Sequence, residues 1–231
     1  MERILALSKA YFFDTLNNKL VFMFNLLFPT LFFIVNNVGQ AENGISSEQL
    51  LQQLTWYWGY IVIVSVSNLI ILNVFSQKER GIFLEYSLIA GSKKRVFYAL
   101  SLLQLGMILG ELIIFNIVVK FIFPVVAVIE LVQITLWALL LTIPIIAGVS
   151  VLLLFEMRAQ TFSILSTVLI FLLFYLADIK GTGLLLLNPL KFLQVGLISR
   201  QNWPSLLGIA FLYFAIGQIS LNKLDPKPRY R

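Results

Sequence analysis

Residues 76–95 read SQKERGIFLEYSLIAGSKKR, the most charged stretch of a chain that is otherwise almost continuously apolar. Five basic side chains and two glutamates are concentrated in it. Long apolar runs lie on both sides, at residues 55–75 and 97–119. Charged residues between two such runs are typical of a loop at the membrane surface. The stretch therefore predicts where the chain leaves the bilayer and enters it again.

The composition agrees with a membrane protein. Of 231 residues, 59% are hydrophobic and 12% are charged, and the mean hydropathy is +0.91. An ordinary soluble domain is nearer half apolar and about a quarter charged. Residues 1–231 are therefore predicted to form a single transmembrane domain of a multi-pass cell-membrane protein, with the lipid bilayer as its surroundings.

The residue types that are missing exclude several classes of function. The chain has no cysteine and no histidine, which removes disulfides, thiolate chemistry and imidazole metal ligands. It also lacks the G-x-x-x-x-G-K-[ST] phosphate loop. We therefore expect no catalytic site, no metal site and no cofactor bound by this chain. The net charge of +6 is explained by basic loops of a membrane protein, so nucleic acid is not an expected partner.

Apolar runs long enough to cross the bilayer occur six times. A bilayer core of about 30 Å requires roughly 20 apolar helical residues. The predicted crossings are residues 20–38, 55–75, 97–119, 125–153, 161–177 and 204–221. The predicted fold is thus an all-α membrane protein with six transmembrane helices.

The distribution of basic residues predicts the orientation. If both termini lie on the same side of the membrane, that side holds thirteen of the 17 Lys and Arg residues. Short basic loops stay in the cytoplasm, so both termini are expected there. Termini on one side also require an even number of crossings, which favours six over five or seven.

Two further segments are expected to lie at the interface. Residues 1–19 interleave apolar and charged side chains, which predicts an N-terminal amphipathic helix on the membrane face. Residues 178–203 place Asn188, Pro189 and Lys191 within an apolar run. That pattern predicts a short re-entrant or interfacial segment on the outer side, before the last crossing.

The charged stretch itself belongs to the loop of residues 76–96, between the second and third crossings. Its apolar residues lie among charged ones, which predicts a short surface helix. Basic residues alone would set the topology, but acidic residues contribute little to it. Glu79 and Glu85 beside Arg80 therefore indicate a surface that meets a charged cytoplasmic partner.

This loop resembles a known family. The membrane subunits of type-2 ABC exporters read E-R-G-T-x-E in the loop after the second of six crossings. In this chain Glu79, Arg80 and Gly81 match that motif, and Glu85 corresponds to the second glutamate one residue later. Near the other end, LNPLKFLQVGLISR is similar to the family's P-L-x-Y-x-x-x-x-x-R segment.

In that second motif, Pro189 and Arg200 stand in the corresponding places. The resemblance implies an export permease without enzymatic activity of its own. A separate nucleotide-binding ATPase subunit, carrying ATP and Mg²⁺, would dock on residues 79–85 and on the N-terminal helix. A second permease subunit would complete the transporter. The expected substrate is a peptide or a small amphipathic compound, and the alternative is a stand-alone ion-coupled carrier or channel.

Polar residues inside the crossings are candidates for a substrate path, because each is costly in lipid unless it is satisfied. Asn68, Asn73 and Gln104 are the candidates for the pore or the subunit interface, and simple helix contacts are an equally good interpretation. Glu111 and Glu130 flank Lys120 and a short turn, which predicts an outer ion-pair cluster that joins the third and fourth crossings. A proton or cation relay is the alternative interpretation of these carboxylates.

Overall fold

The computed structural model describes residues 19–42, 46–179, 183–198 and 203–227. Within these ranges the fold contains helices and no strand, so the predicted all-α class is confirmed. The helices are α1 (Lys19–Glu42), α2 (Ser47–Glu79), α3 (Ile82–Ala90), α4 (Lys93–Ile122), α5 (Val128–Leu154), α6 (Ala159–Asp178), α7 (Pro189–Ile198) and α8 (Trp203–Lys223). The predicted N-terminal amphipathic helix and Arg200 lie outside the described residues.

Five of the described helices are long and apolar enough to cross a bilayer, namely α2, α4, α5, α6 and α8. They coincide with the second to sixth predicted crossings. The first predicted crossing falls in α1, whose apolar stretch Asn25–Asn37 is shorter than the other five. The number of six crossings and the orientation of the termini therefore stay predictions. One end of the bundle carries α3, and the other carries the turn between α4 and α5.

Helix α2 is the central helix of the bundle. Its 33 residues extend for about 50 Å, and 72% of its most apolar 18-residue stretch is buried within the bundle. It packs against α1, α4, α6 and α7. Midway along it, Val66–Leu72 form a π-helical segment, in which the turns are wider than in an α-helix. The Cβ that a side chain would add at Gly59 would collide with Leu190 of α7, so the absence of a side chain lets these helices approach closely.

Helices α5 and α8 form the second close contact of the bundle. A Cβ at Gly217 of α8 would lie 2.8 Å from the carbonyl oxygen of Ala147 in α5. Gly148 of α5 likewise accommodates the ring of Tyr213. Small residues at such crossings allow dense packing, which holds helices together where the surrounding lipid is equally apolar.

Helix α7 is a short buried helix between α2 and α5. Its 10 residues span about 15 Å, half the thickness of a bilayer core, so it is too short to cross. Leu190, Phe192 and Leu193 are fully buried. The side-chain amide of Asn188 donates to the carbonyl of Leu173 at 2.7 Å, and Lys191 Nζ donates to the carbonyl of Ala177 at 2.9 Å. These bonds join α7 to the last turn of α6.

Candidate functional site

Two parts of the molecule carry the candidate residues, and the first is α3. Gly81 and Gly91 flank this helix with φ of 77° and 71°, the left-handed region in which other residues are strained. The two glycines turn the chain sharply at each end of α3. Gly81, which was predicted as a docking residue, therefore has a conformational role as the start of the helix.

Helix α3 presents a mixed apolar and acidic surface. Phe83, Ser87 and Ala90 form its buried face. On the other side, Leu88 is 73% exposed and Ile89 is 68% exposed. Glu85 and Arg80 are exposed at the same end of the bundle. We call Glu85, Leu88 and Ile89 the α3 surface.

Glu79 has a different position from Glu85. The backbone N–H of Ala159 donates to Glu79 Oε1 at 2.8 Å, and Glu79 is half-buried. Ala159 is the first residue of α6, where free backbone N–H groups favour a carboxylate acceptor. The two glutamates of the motif are thus separated: Glu79 joins α2 to α6, and Glu85 stays exposed.

The basic run 93–95 fastens helix ends together. Lys93 Nζ donates to the carbonyls of Asn222 and Leu224 at 2.7 Å and 2.5 Å, at the end of α8. Arg95 donates to the carbonyl of Ala90 at 2.9 Å, at the end of α3. Cations stabilise helix C-termini because the last carbonyls lack helical partners. As a result α3 is held firmly against α4, and α4 against α8.

The second part is a buried polar cluster in the bundle interior. Glu111 of α4 is 0% exposed, and Ser65 Oγ of α2 donates to its Oε2 at 2.5 Å. The side-chain amide of Asn25, on α1, donates to Ser65 Oγ at 3.3 Å. No donor among the described residues reaches Glu111 Oε1, although this atom is buried. We call Asn25, Ser65 and Glu111 the interior carboxylate cluster.

Glu111 lies apart from Lys120, with which it was predicted to form an outer ion-pair cluster. Lys120 Nζ donates to the carbonyls of Pro124 and Val126 at 2.7 Å and 2.8 Å, and so closes the α4–α5 turn. Glu130 lies in the first turn of α5. Glu111 is eleven residues before the end of α4, about 16 Å along the axis, and is held by Ser65 instead. The sequence analysis predicted Glu111 near the α4–α5 turn, because hydropathy does not show whether a single carboxylate is buried within the bundle.

A second buried chain of hydrogen bonds links three helices. Trp58 Nε1 donates to Asn116 Oδ1 at 2.8 Å, and Asn116 Nδ2 donates to Thr135 Oγ1 at 2.7 Å. Because α2 begins at Ser47, Trp58 lies three turns inside the helix and is buried.

The three predicted pore candidates occupy different surroundings. Asn68 lies in the π-helical segment and is partly exposed. Asn73 Oδ1 accepts a hydrogen bond from Gln77 Nε2 at 2.8 Å, within α2. Gln104 is fully buried on α4. This bond lies within α2, so it does not distinguish a pore position of Asn73 from a contact between helices.

An apolar groove of about 710 Å³ lies between α4 and α5, open to the outer surface of the bundle. Ile113, Ile117 and Leu136 are among its exposed lining residues. Lys120 lies at its end near the α4–α5 turn, and Asn116 and Thr135 add polar groups midway. A volume of this size lies within the usual range for small-molecule pockets, roughly 300–1,000 Å³.

Comparison with protein-family models, with curated proteins and with solved structures finds no match. The likeness to type-2 ABC exporters therefore depends on the residues of the loop and of the segment before the last crossing.

Proposed function

We propose that this chain is the membrane-spanning subunit of an ATP-driven exporter, and that a separate ATPase subunit docks on the α3 surface. The observation that carries the proposal is the exposure of Leu88 and Ile89 beside Glu85, at the end of the bundle that holds most of the basic residues in the described part of the chain. An apolar patch with an adjacent charge is the composition of a protein interface rather than of a solvated loop.

The contacts around α3 support a role in force transmission. A load on α3 reaches α4 through Arg95 and Ala90, and reaches α8 through Lys93 and Leu224. It reaches α2 through the tight turn at Gly81, and the Glu79–Ala159 hydrogen bond extends the connection to α6. Closure of docked ATPase subunits would therefore move several crossings together, as rigid helices change their mutual tilt.

The outer surface of the bundle supports proposals for the substrate and for a second subunit. The α4–α5 groove combines an apolar lining with the ammonium group of Lys120, which suits a small amphipathic compound or peptide with a negative group. Helix α6 leaves most of its surface uncovered within the chain. We propose that a second permease subunit, identical or related, completes the transporter along such surfaces.

Copurification tests the docking proposal. The chain is extracted from its native membrane in mild detergent, and bound proteins are identified by mass spectrometry. We expect a near-stoichiometric nucleotide-binding subunit with the wild type, and its loss from Glu85→Lys. The matched control is Glu48→Lys, because Glu48 is an exposed glutamate at the opposite end of α2. A wild-type chain without any nucleotide-binding partner, or a Glu85→Lys variant that retains it fully, would overturn the proposal.

A stand-alone ion-coupled carrier is the second candidate, and the interior carboxylate cluster is the observation that favours it. An ionisable residue buried within a membrane helix commonly belongs to an ion pathway. The purified chain in vesicles, without an ATPase, separates the two candidates. Substrate movement driven by an ion gradient alone supports the carrier, and movement only with ATP and the partner supports the exporter.

A further inference from the structure

Glu111 stands apart from every other charged residue of the helices around it. The segments Asn25–Asn37 of α1 and Leu50–Gln77 of α2 contain no Asp, Glu, Lys or Arg, and neither does α5 after Glu130. The ionisable side chains on these stretches are the phenols of Tyr57 and Tyr60, and α8 carries Tyr213 and, as its last residue, Lys223. The remaining charged residues of α4 and of the helices packed against it lie at or near helix ends or on α3: Lys19, Glu42, Glu48, Lys78, Glu79, Glu85, Lys93, Lys94, Arg95, Lys120, Glu130 and Lys223.

This isolation decides which charge state the site accommodates. An ionised carboxylate that is buried without a cation carries a large desolvation cost, and one hydroxyl donor does not offset it. The neutral acid avoids that cost. Ser65 donates to Oε2, and Oε1 has no hydrogen-bond partner among the described residues, so one oxygen of an ionised group would lie buried and unsatisfied. This arrangement favours the neutral carboxyl group of Glu111 over the carboxylate.

The backbone of α2 offers a way to change this environment. Ser65 is the last α-helical residue before the π-helical segment, which begins at Val66. Single π-turns within α-helices occur often at functional sites. If the π-helical register shifted along α2, Ser65 would rotate relative to α4 and water could reach Glu111. Hydration favours the ionised form of a carboxyl group.

We propose that the interior carboxylate cluster is a binding site for one proton within the membrane bundle. The site is occupied in the conformation described here. When α2 moves relative to α4, the O–H bond of the Glu111 carboxyl group breaks, the proton passes to water and a carboxylate remains. The site is a property of this chain, so it stands with either candidate function and does not rest on the docking of an ATPase.

The first test reads the protonation state directly. The full chain, with any subunit that copurifies, is placed in lipid nanodiscs at neutral pH, and its infrared spectrum is searched for the carbonyl stretch of a protonated carboxyl group. We expect the wild type and the matched control Glu130→Gln to show this band, and Glu111→Gln to lack it. If the band at neutral pH is the same in Glu111→Gln and in the wild type, Glu111 is ionised and the proposal fails.

The second test asks whether the proton is linked to the position of α2. The chain has no cysteine, so Ser67→Cys, a buried position in the π-helical segment, creates a single thiol. Its labelling rate by a water-soluble maleimide is measured against pH and divided by the rate for the double variant Ser67→Cys, Glu111→Gln. The division removes the pH dependence of the thiol itself.

We expect this ratio to rise as the pH increases, because ionisation of Glu111 opens the site, whereas the glutamine variant stays in the neutral arrangement. A ratio that is constant with pH would show that Glu111 is a static structural acid. A ratio that depends on sodium concentration but not on pH would identify a metal cation as the ligand. Both results would overturn the proton site, and neither bears on the copurification experiment.

Discussion

Helices α2 and α6 have the same mean hydropathy in their most apolar windows, 1.9, but opposite surroundings. In α2 72% of that window is buried within the bundle, whereas in α6 only 11% is buried. Small and polar residues mark helix–helix contacts in membranes, but both helices carry them: Gly59 and Ser65 in α2, and Ser166 and Thr167 in α6. The difference therefore lies in which helices become neighbours and not in the composition of either segment. Hydropathy thus identifies a crossing but does not say which crossing is central.

The largest expected effect comes from filling the closest contact of α2. Gly59→Leu places a full side chain against the buried Leu190 of α7, and we expect a loss of about 3 kcal/mol or more, since overpacking forces neighbours to shift. The measurement is the fraction of protein that stays monodisperse in size-exclusion chromatography after heating. The matched control, Val168→Leu on the lipid-facing side of α6, should behave as the wild type. Equal behaviour of both variants would contradict the central position of α2.

The second effect concerns a buried hydrogen-bond chain. Asn116→Leu removes the partner of the Trp58 N–H and leaves this donor buried, so we expect destabilisation of about 2 kcal/mol, within the range for an unsatisfied buried group. Thermal unfolding in detergent, followed by tryptophan fluorescence, measures it. Thr167→Val on α6 is the control, because Thr167 bonds only to its own helix and is exposed. A comparable loss in the control would mean that polar contacts do not distinguish the two helices.

The third prediction addresses the joint between α2 and α6. Glu79→Ala removes the acceptor for the Ala159 N–H, and loss of such a cap costs about 1 kcal/mol. We expect Glu85→Ala to leave stability unchanged, because its side chain is exposed. The same thermal assay compares the two variants. If Glu85→Ala were the more destabilising, the separation of the two glutamates into a structural and an exposed residue would be wrong.

The smallest effect is expected on the outer face of α6. Phe171 is 73% exposed, and lipid replaces its ring without cost, so Phe171→Ala should change the stability of the chain by less than about 0.5 kcal/mol. Measurement in nanodiscs that hold one copy, and in detergent micelles that hold the native assembly, sharpens the comparison. Destabilisation only in the native assembly would show that a second subunit covers α6, and destabilisation in both would contradict its lipid-facing position.

Several features of the fold could be predicted from the sequence because they depend on local averages. The membrane-crossing helices α2, α4, α5, α6 and α8 follow from the length and hydropathy of each run, since a bilayer requires every backbone hydrogen bond within the segment. The short surface helix α3 follows from a charged stretch between two of these runs. The short helix α7 follows from Asn188, Pro189 and Lys191, which interrupt an apolar segment.

The contacts of individual polar residues were not predictable in the same way. Glu111 was expected beside Lys120 and contacts Ser65. Glu79 was grouped with Glu85, but its carboxylate accepts from Ala159 eighty residues later in the chain. Each of these partners belongs to another helix, and no pattern within one segment encodes which helices become neighbours.

The sequence by itself thus determined that this is a helical membrane protein with a charged loop after its second predicted crossing. The reason is that the free energy of transferring a segment from water to lipid is the sum over its own residues, whatever its neighbours are. Only the tertiary structure decided that α2 is central, that Glu79 and Glu85 differ in role, and that Glu111 lies buried against Ser65 without a cation among the described residues. The physical reason is that close packing and hydrogen bonding depend on distances of a few ångströms between atoms far apart in the chain, and these distances exist only once the helices have assembled.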